Sequence, residues 1–306
     1  MSALGIDIGG TTTVAVLLED GRVLASHDGP TRRGEGAVES AVAVAGAVLT
    51  ATGTSADELD GVGLGVPGLV GDDRSLVRSA VNLGIDSFDI GAALGSRLGV
   101  PVTVDNDVRA AVLGARHLMA EPAGALAFIG LGTGIAAGLA YDDRVLRGAS
   151  GIAGEIGHIP VPGALGVCRC GQRGCLETVA SGWALAERWE GPIPALTLLA
   201  AAERGEERGV RDWDACIDGL AHAVRSLVLT TGVDVVLIGG GVSGLGLPLL
   251  EGVRARIAGW ADASPLLSAL DVPARIRLLA AGAQPAAVGA ALLGSAHWSH
   301  RHAEVD

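Results

Sequence analysis

The sequence contains no lysine, and all 22 of its basic residues are arginine. Lysine-based covalent chemistry is therefore excluded, because a Schiff base and a pyridoxal phosphate anchor both need a lysine amine. The Gly-Lys-Ser/Thr phosphate loop is excluded for the same reason. If this protein uses ATP, then glycine backbones, hydroxyls, helix dipoles and a metal ion must hold the phosphates.

Positive charge is scarce as well, since the net charge is −12 and the isoelectric point is about 5.0. Such a composition argues against nucleic acid and against an anionic membrane as partners. No charged-then-apolar leader precedes the first strand pattern. The uncharged stretch 123–140 is nearly long enough to span a bilayer, but its five glycines favour two buried strands joined by a turn. We therefore predict a cytoplasmic protein that binds neither a membrane nor nucleic acid.

Cysteine is rare, and three of the four cysteines fall within eight residues, with a histidine ten residues before them. One imidazole nitrogen and three thiolates form the ligand set of a closed, structural zinc site. These candidate ligands are His158, Cys168, Cys170 and Cys175. The alternative is a group of metal-free thiols in a reducing compartment, which the isolated Cys216 also fits. Glu155 and Glu177 flank the ligands, so a bound ion would fix them too.

Glycine is abundant, with 48 residues, and three glycine-rich turns each follow a predicted strand. The turns are Gly9-Gly10-Thr11-Thr12, Gly132-Thr133-Gly134 and Gly239-Gly240-Gly241. Asp7 near the end of the first strand would offer a metal-facing carboxylate beside bare N–H groups and hydroxyls. Each turn alone could be an ordinary glycine hairpin. The set predicts two similar lobes, each with a phosphate-facing hairpin, and nucleotide between them.

Polar side chains lie between the first two turns in sequence, where apolar strands end. Gly68 and Asn82 follow one such strand, and Asn106 and Asp107 follow another. Strand ends of this kind usually deliver their side chains to a cleft. The alternative is a helix cap, because 108–119 has a helical pattern, and the two roles are compatible.

These motifs occur in the order found in the ROK family, which groups bacterial sugar kinases with sugar-responsive repressors, and the chain resembles that family along nearly its whole length. The motifs are Asp7-Ile8-Gly9-Gly10-Thr11, Asn106-Asp107, Gly132-Thr133-Gly134, Gly154-Glu155-Ile156-Gly157-His158, Cys168-x-Cys170-Gly171-x-x-Gly174-Cys175-x-Glu177 and Gly239-Gly240-Gly241. The resemblance implies an α/β chain with the actin-like (ribonuclease H-like) two-lobed ATPase fold, whose interlobe cleft closes over sugar and ATP. Residues 1–107 would form the small lobe, 108–285 the large lobe with the zinc segment, and 286–306 a helix returning to the small lobe.

The resemblance also implies roles for individual residues. Asp107 would be the catalytic base, while Asp7 and the three glycine turns would face Mg²⁺ and ATP. Zn²⁺ would be structural and held by the histidine and the three clustered cysteines. The sugar would contact Gly68, Asn82, Asn106, Asp107, Glu155, His158 and Glu177.

The implied reaction is ATP-dependent phosphorylation of a hexose at its 6-hydroxyl, carried out by a homodimer or homotetramer. Glucose is the first candidate, followed by N-acetylmannosamine or N-acetylglucosamine, and then fructose. The identity of the sugar stays open because four segments depart from the family pattern. They are Val108-Arg109, Ala115, Ile85-Asp86 and Gln284-Pro285-Ala286.

Two other functional classes are weaker expectations. A sugar-responsive repressor of this family carries a DNA-binding domain before the first glycine turn, and here only six residues precede Asp7. A sugar-binding protein without turnover is disfavoured because every proposed catalytic group is present. We therefore predict a kinase.

Overall fold

The computed structural model describes residues 2–71, 73–121, 124–142, 144–149 and 151–295, which form an α/β chain. The strands within these residues are β1 (Ser2–Ile8), β2 (Thr12–Glu19), β3 (Arg22–Pro30), β4 (Gly61–Val66), β5 (Leu69–Val70), β6 (Leu76–Ala80), β7 (Ile85–Asp89), β8 (Val102–Asn106), β9 (Ala125–Leu131), β10 (Ile135–Tyr141), β11 (Arg144–Val145), β12 (Val235–Gly239) and β13 (Ile276–Leu278). The helices are α1 (Gly36–Thr52), α2 (Ile90–Leu98), α3 (Asp107–Met119), α4 (Glu177–Ala180), α5 (Gly182–Arg188), α6 (Pro194–Glu203), α7 (Glu207–Thr231), α8 (Leu247–Ala261), α9 (Pro265–Leu270) and α10 (Pro285–Gly294).

The first sheet brings the carboxyl ends of three parallel strands to one edge. Its order is β3-β2-β1-β4-β8, in which β1 is antiparallel to β2 and parallel to β4, and β4 is parallel to β8. The register places Asp7 opposite Gly65, and Gly65 opposite Asp105. Residues that follow these strands therefore meet at the edge where ligands of open α/β sheets usually bind. The strands β5, β6 and β7 form a separate small sheet.

Strand β1 is buried on both faces, which explains its nearly continuous apolar sequence. On one face, Leu4, Ile6 and Ile8 are fully buried in a core that includes apolar residues of α1. On the other face, Ala3 packs in a smaller cluster with alanines of α10. A Cβ added to Gly5 would lie 1.9 Å from a backbone oxygen of α10, so this helix can approach only a glycine.

The second five-stranded sheet repeats the strand order of the first, as β11-β10-β9-β12-β13. Here β9 is parallel to β12, with Gly130 opposite Gly239, and β12 is parallel to β13. The uncharged stretch 123–140 forms β9 and β10, as predicted, although residue 123 lies outside the described residues. Among the helices that the structure describes, none is both long enough and apolar enough to cross a membrane.

The chain divides into two compact units. Unit 1 contains the described residues of 1–123, 138–153 and 284–306, and unit 2 contains those of 124–137 and 154–283. Unit 1 extends beyond residue 107, where the sequence places the end of the small lobe, because α3 packs on α10 within this unit. Residues 296–306 of the predicted returning segment lie outside the described residues.

Candidate active site and metal centre

Two carboxylates lie at the edge of the first sheet in unit 1. Asp7 stands near the end of β1, and Asp107 begins α3. A Cβ added to Gly65 would lie 3.5 Å from Asp7 Oδ1 and 3.4 Å from Asp107 Cα, so the glycine leaves both residues room. Asp7 Oδ1 is buried and has no hydrogen-bond partner. Burial and, second, the Asp107 carboxylate raise the pKa of Asp7 to about 8.

This arrangement suits a divalent cation. Mg²⁺ prefers oxygen ligands, and the buried Asp7 oxygen lacks any partner that would otherwise satisfy it. Two neighbouring carboxylates also disfavour each other's ionised form unless a positive charge is present. Asp7 therefore fits the Mg²⁺ contact that the sequence predicts for it.

We expect Asp7→Asn to make the ligand-free protein more stable at neutral and alkaline pH. The pKa of Asp7 is raised from its ordinary value of 3.8 to about 8 in the folded state, so the folded protein resists ionisation of this carboxyl. The contribution of the protonated Asp7 carboxyl to the free energy of unfolding is therefore fully present below about pH 4, and it is lost as the pH rises toward about 8. Asparagine cannot ionise, and thermal melts in a metal chelator from about pH 5 to about pH 9 should show a shallower decline for the variant.

The same variant should lose the rise in melting temperature that Mg²⁺ and ATP give the wild type. Asp28→Asn is the matched control, because Asp28 is an exposed aspartate of unit 1 on β3. It should melt like the wild type at every pH. A wild-type melting temperature that does not fall across this range would contradict the burial of an unpaired Asp7 oxygen.

Asn106 is the N-cap residue of α3 and also holds the loop after β4. Its Oδ1 accepts hydrogen bonds from the backbone N–H groups of Val108 and Arg109, at 3.0 and 3.2 Å. Its Nδ2 donates to the Gly68 carbonyl oxygen at 3.2 Å. Gly68 has a φ of 107°, which favours glycine. The structure thus gives Asn106 the capping role that the sequence left open, and brings Gly68 to the start of the helix that begins at Asp107.

The first glycine turn lies in the same unit, between β1 and β2. The Gly9 N–H donates to the Thr12 carbonyl oxygen at 2.9 Å, which closes the turn. A Cβ added to Gly10 would lie 3.4 Å from the Asn82 Cβ, so Asn82 lies beside this turn. Thr11, Thr12 and Asn82 are exposed, which leaves their polar groups accessible to a ligand.

A buried ion cluster next to Asp107 was missed by the sequence analysis. Asp105 is fully buried, and its carboxylate accepts hydrogen bonds from Arg109 Nε at 2.7 Å, Arg147 at 2.5 Å and Arg74 at 3.3 Å. Burial opposes ionisation, but the three arginines together hold the pKa of Asp105 below its usual range. The spacing of Asp105 and Arg109 by four residues was the available signal. The cluster fixes the backbone two residues before and two residues after Asp107.

The second and third glycine turns are neighbours within unit 2. They follow β9 and β12, which pair in parallel, so their ends lie side by side. In the second turn the Gly132 N–H donates to the Gly134 carbonyl oxygen at 3.0 Å. In the third, Gly240 has a φ of 97°, and a Cβ there would lie 2.5 Å from the Leu131 carbonyl oxygen. Gly239 ends β12, and Gly241 begins a short 3₁₀ turn.

Glu177 contacts the second turn. Its Oε1 accepts a hydrogen bond from the Ile135 N–H at 2.8 Å, and a Cβ added to Gly134 would lie 2.5 Å from the same oxygen. Gly134 does not have a left-handed φ. A side chain at this position would have to displace the Glu177 carboxylate, so glycine is favoured here by the close contact and not by backbone conformation.

Gly134→Val should raise the dissociation constant of ATP more than about tenfold, because the added side chain must displace the Glu177 carboxylate and deform the turn. Calorimetric titration with Mg²⁺ and ATP in the absence of sugar measures the effect. Gly259→Ala is the control, since an added Cβ at Gly259 meets no atom within 4 Å. Normal ATP affinity in the valine variant would mean that this turn does not bind the phosphates.

The four predicted zinc ligands come together in unit 2. One ligand atom from each of His158, Cys168, Cys170 and Cys175 lies within 4.8 Å of all the others. His158 Nδ1 is 3.6 Å from Cys168 Sγ, and Cys170 Sγ is 3.7 Å from Cys175 Sγ. Three sulfurs and one imidazole nitrogen at this spacing suit Zn²⁺.

His158 lies between the cysteine cluster and Glu155. Its Nδ1 faces Cys168, while its Nε2 lies 3.9 Å from Glu155 Oε2. Glu155 is exposed, so the second ring nitrogen lies beside an accessible carboxylate. The structure thus brings Glu155, His158 and Glu177 together around the cysteine cluster, as a group that could bind hydroxyls.

A sequence model of the ROK family matches residues 3–297. The chain belongs to the ROK family. It is 32% identical over 282 residues to a glucokinase of Halalkalibacterium halodurans, covering 84% of this chain and 86% of the relative. It is 31% identical over 264 residues to an N-acetylmannosamine kinase of Citrobacter koseri, covering 84% and 87% of the two chains.

A solved ROK structure shares the fold. It is the crystal structure of a ROK family glucokinase from Streptomyces griseus in complex with glucose and AMPPNP. The TM-score is 0.79 at 26% sequence identity, over 96% of this chain and 99% of the other. The actin-like ATPase fold that the resemblance predicts is therefore confirmed.

Proposed function

We propose that this ROK protein is an ATP-dependent hexose kinase that phosphorylates the 6-hydroxyl of its sugar, with glucose as the first candidate. The observation that carries the proposal is the pair of carboxylates in unit 1, where Asp107 begins a helix beside the unpartnered Asp7 oxygen. Relatives named glucokinase and N-acetylmannosamine kinase support a sugar as the phosphate acceptor.

Asp107 would act as the general base. Phosphoryl transfer has a loose transition state that needs alignment and charge neutralisation more than covalent help. The Asp107 carboxylate would accept the proton of the 6-hydroxyl as that oxygen attacks the γ-phosphate. Asn106 and the Asp105 cluster hold the backbone on both sides of Asp107, so the base would be positioned before substrate binds.

Asp7 and the glycine turns would bind the nucleotide. Mg²⁺, when bound, neutralises charge that develops on the phosphate oxygens. Asp7 would hold this ion, and the bare N–H groups of the turns would bind phosphate oxygens directly. No ammonium group takes part, because the chain contains no lysine.

Glu155, His158 and Glu177 would orient the sugar through its hydroxyls. A structural Zn²⁺ on His158 and the cysteines would hold these three side chains in place. When a histidine binds a metal through one ring nitrogen, the orientation of its other ring nitrogen is fixed as well. N-acetylmannosamine is the next candidate sugar after glucose. The proposal includes a homodimer or homotetramer, which light scattering would test.

A coupled assay of ADP release tests the function. Purified protein with Mg²⁺ and ATP should release ADP only after a sugar is added, with glucose, N-acetylmannosamine, N-acetylglucosamine and fructose compared in parallel. Release that does not depend on sugar would contradict a sugar kinase. Binding of glucose without any release would favour a sugar-binding protein that lacks turnover.

A further inference from the structure

The two carboxylate oxygens of Glu177 face different parts of unit 2. Oε1 accepts the hydrogen bond from the Ile135 N–H, directly after the second glycine turn. Oε2 lies 3.8 Å from Cys168 Sγ and 3.9 Å from His158 Nδ1. The side chain is 11% exposed, so water provides few alternative partners. Because a carboxylate is planar and rigid, a shift of the zinc ligands around Oε2 also moves Oε1.

A second set of contacts joins the same two regions. The N–H groups of Gly182 and Trp183 donate to the carbonyl oxygens of Gly132 and Thr133, at 2.9 and 3.1 Å. The guanidinium of Arg169 lies over the Trp183 ring, 4.4 Å from the ring centroid. Arg169 lies in sequence between two of the candidate zinc ligands. The second turn therefore contacts both Glu177 and Trp183, and each of these residues also contacts the cysteine segment.

The cysteine segment itself has little regular structure to hold it. Residues 159–176 contain no helix and no strand, only two isolated bridges, Pro160 with Cys175 and Val167 with Arg173. Most of its residues are exposed, and backbone hydrogen bonds such as those from the Val161 N–H to the Gly174 carbonyl oxygen and from the Cys168 N–H to the Gln172 carbonyl oxygen join its parts. A metal ion on the four ligands would add a cross-link between His158 and this segment, so its removal should loosen the contacts of Glu177 and Arg169 with their neighbours.

We propose that Glu177 is a positioning residue for the nucleotide, which transmits the occupancy of the zinc cluster to the Gly132-Thr133-Gly134 turn. Nucleotide affinity then depends on zinc even when no sugar is present. The inference rests on the proposed function for one point, that this turn binds phosphates. It goes beyond a sugar contact of Glu177, which predicts no effect on nucleotide binding without sugar.

Two substitutions of Glu177 separate these roles. Glu177→Ala removes the acceptor of the Ile135 N–H. Glu177→Gln keeps a carbonyl oxygen that can accept the same hydrogen bond, although it loses the charge. The alanine variant should lose nucleotide affinity by about tenfold, the effect of one hydrogen bond, and the glutamine variant should stay within about threefold of the wild type.

The experiment combines amide hydrogen exchange of peptides covering 132–136 with calorimetric titration of AMPPNP, in millimolar Mg²⁺ and without sugar. It compares the zinc-loaded wild type, both Glu177 variants, Arg169→Ala, and wild type treated with a zinc-selective chelator. Glu206→Ala is the matched control, an exposed glutamate of unit 2 paired with Arg204. In Glu177→Ala and in chelated wild type, the Ile135 amide should exchange about tenfold faster, and the AMPPNP dissociation constant should rise by a similar factor. Both quantities should change little in Glu177→Gln and Glu206→Ala.

Removing zinc from the Glu177→Ala variant should change its Ile135 exchange rate and its AMPPNP dissociation constant by less than about twofold, because the contact between the zinc ligands and the turn through Glu177 is already lost. Unchanged exchange at Ile135 in chelated wild type, or a glutamine variant as impaired as the alanine variant, would overturn the proposal. The arms with chelated wild type and with Glu177→Gln decide the question even if Glu177→Ala does not fold. If the wild type binds no AMPPNP, the proposed function fails, and faster exchange at Ile135 after chelation would still show that the zinc cluster controls the turn.

Discussion

Asp107→Asn is expected to lower kcat by about 10²–10⁴-fold, the contribution of a positioned general base. Asparagine keeps the shape of the side chain, and its amide oxygen can accept the hydrogen bond that the Val108 N–H donates to Asp107 Oδ1. The amide cannot accept the proton of the 6-hydroxyl. Sugar affinity should stay within about tenfold of the wild type, because the ring contacts are retained. Steady-state kinetics and a sugar titration without ATP measure the two effects.

Asp89→Asn is the matched control for this substitution. Asp89 also stands at the start of a helix, where its Oδ1 accepts a hydrogen bond from the Ala92 N–H at 3.0 Å. Asparagine is an equally good N-cap residue, so kcat should not change. If Asp107→Asn keeps more than about a tenth of the wild-type kcat, Asp107 is not the base.

Loss of one cysteine ligand is the second change with a large expected effect. The purified protein should contain about one zinc per chain, and Cys170→Ala should lose it, because a tetrahedral site with three remaining protein ligands binds the ion far more weakly. Glu155, His158 and Glu177 share the segment, so sugar affinity should fall at least about tenfold. Elemental analysis and a sugar titration measure both quantities on the same sample.

Cys216→Ala is the control for the cysteine prediction. Cys216 is fully buried on α7 and is not among the clustered ligands, so this variant should keep its zinc and its sugar affinity. If the wild-type protein contains no metal, and Cys170→Ala binds sugar as tightly as the wild type does, both the zinc site and its proposed effect on Glu155, His158 and Glu177 are contradicted.

The sequence alone was sufficient to predict the strand ends and the candidate metal ligands. Apolar strand patterns that end near Asp7 and in Asn106-Asp107 predicted polar side chains at strand ends, and the structure places both at one edge of the first sheet. The cysteine spacing indicated four candidate metal ligands, and the structure places one ligand atom of each within 4.8 Å of the others. These features are encoded by residues that are close in the chain.

Contacts between distant segments were not predictable in this way. The sequence placed Gly134 in a phosphate-facing turn or an ordinary glycine hairpin, whereas the structure places the carboxylate of Glu177, 43 residues later in the chain, against it. Arg109 was noted only as a departure from the family pattern, and the structure shows it bound to Asp105, together with Arg74 and Arg147. No periodicity or spacing connects Gly134 with Glu177, or Asp105 with Arg74 and Arg147, because their proximity depends on how the sheets and loops pack.

The most direct test of the central claim is the identity of the product. Phosphorus NMR of a reaction with glucose, ATP, Mg²⁺ and the wild-type protein should show a phosphate ester coupled to the two protons on carbon 6, together with an equal amount of ADP. The same reaction with 6-deoxyglucose should give neither product. Phosphorylation at another hydroxyl, or ATP consumption without any phosphorylated sugar, would contradict the assignment of this protein as a hexose 6-kinase.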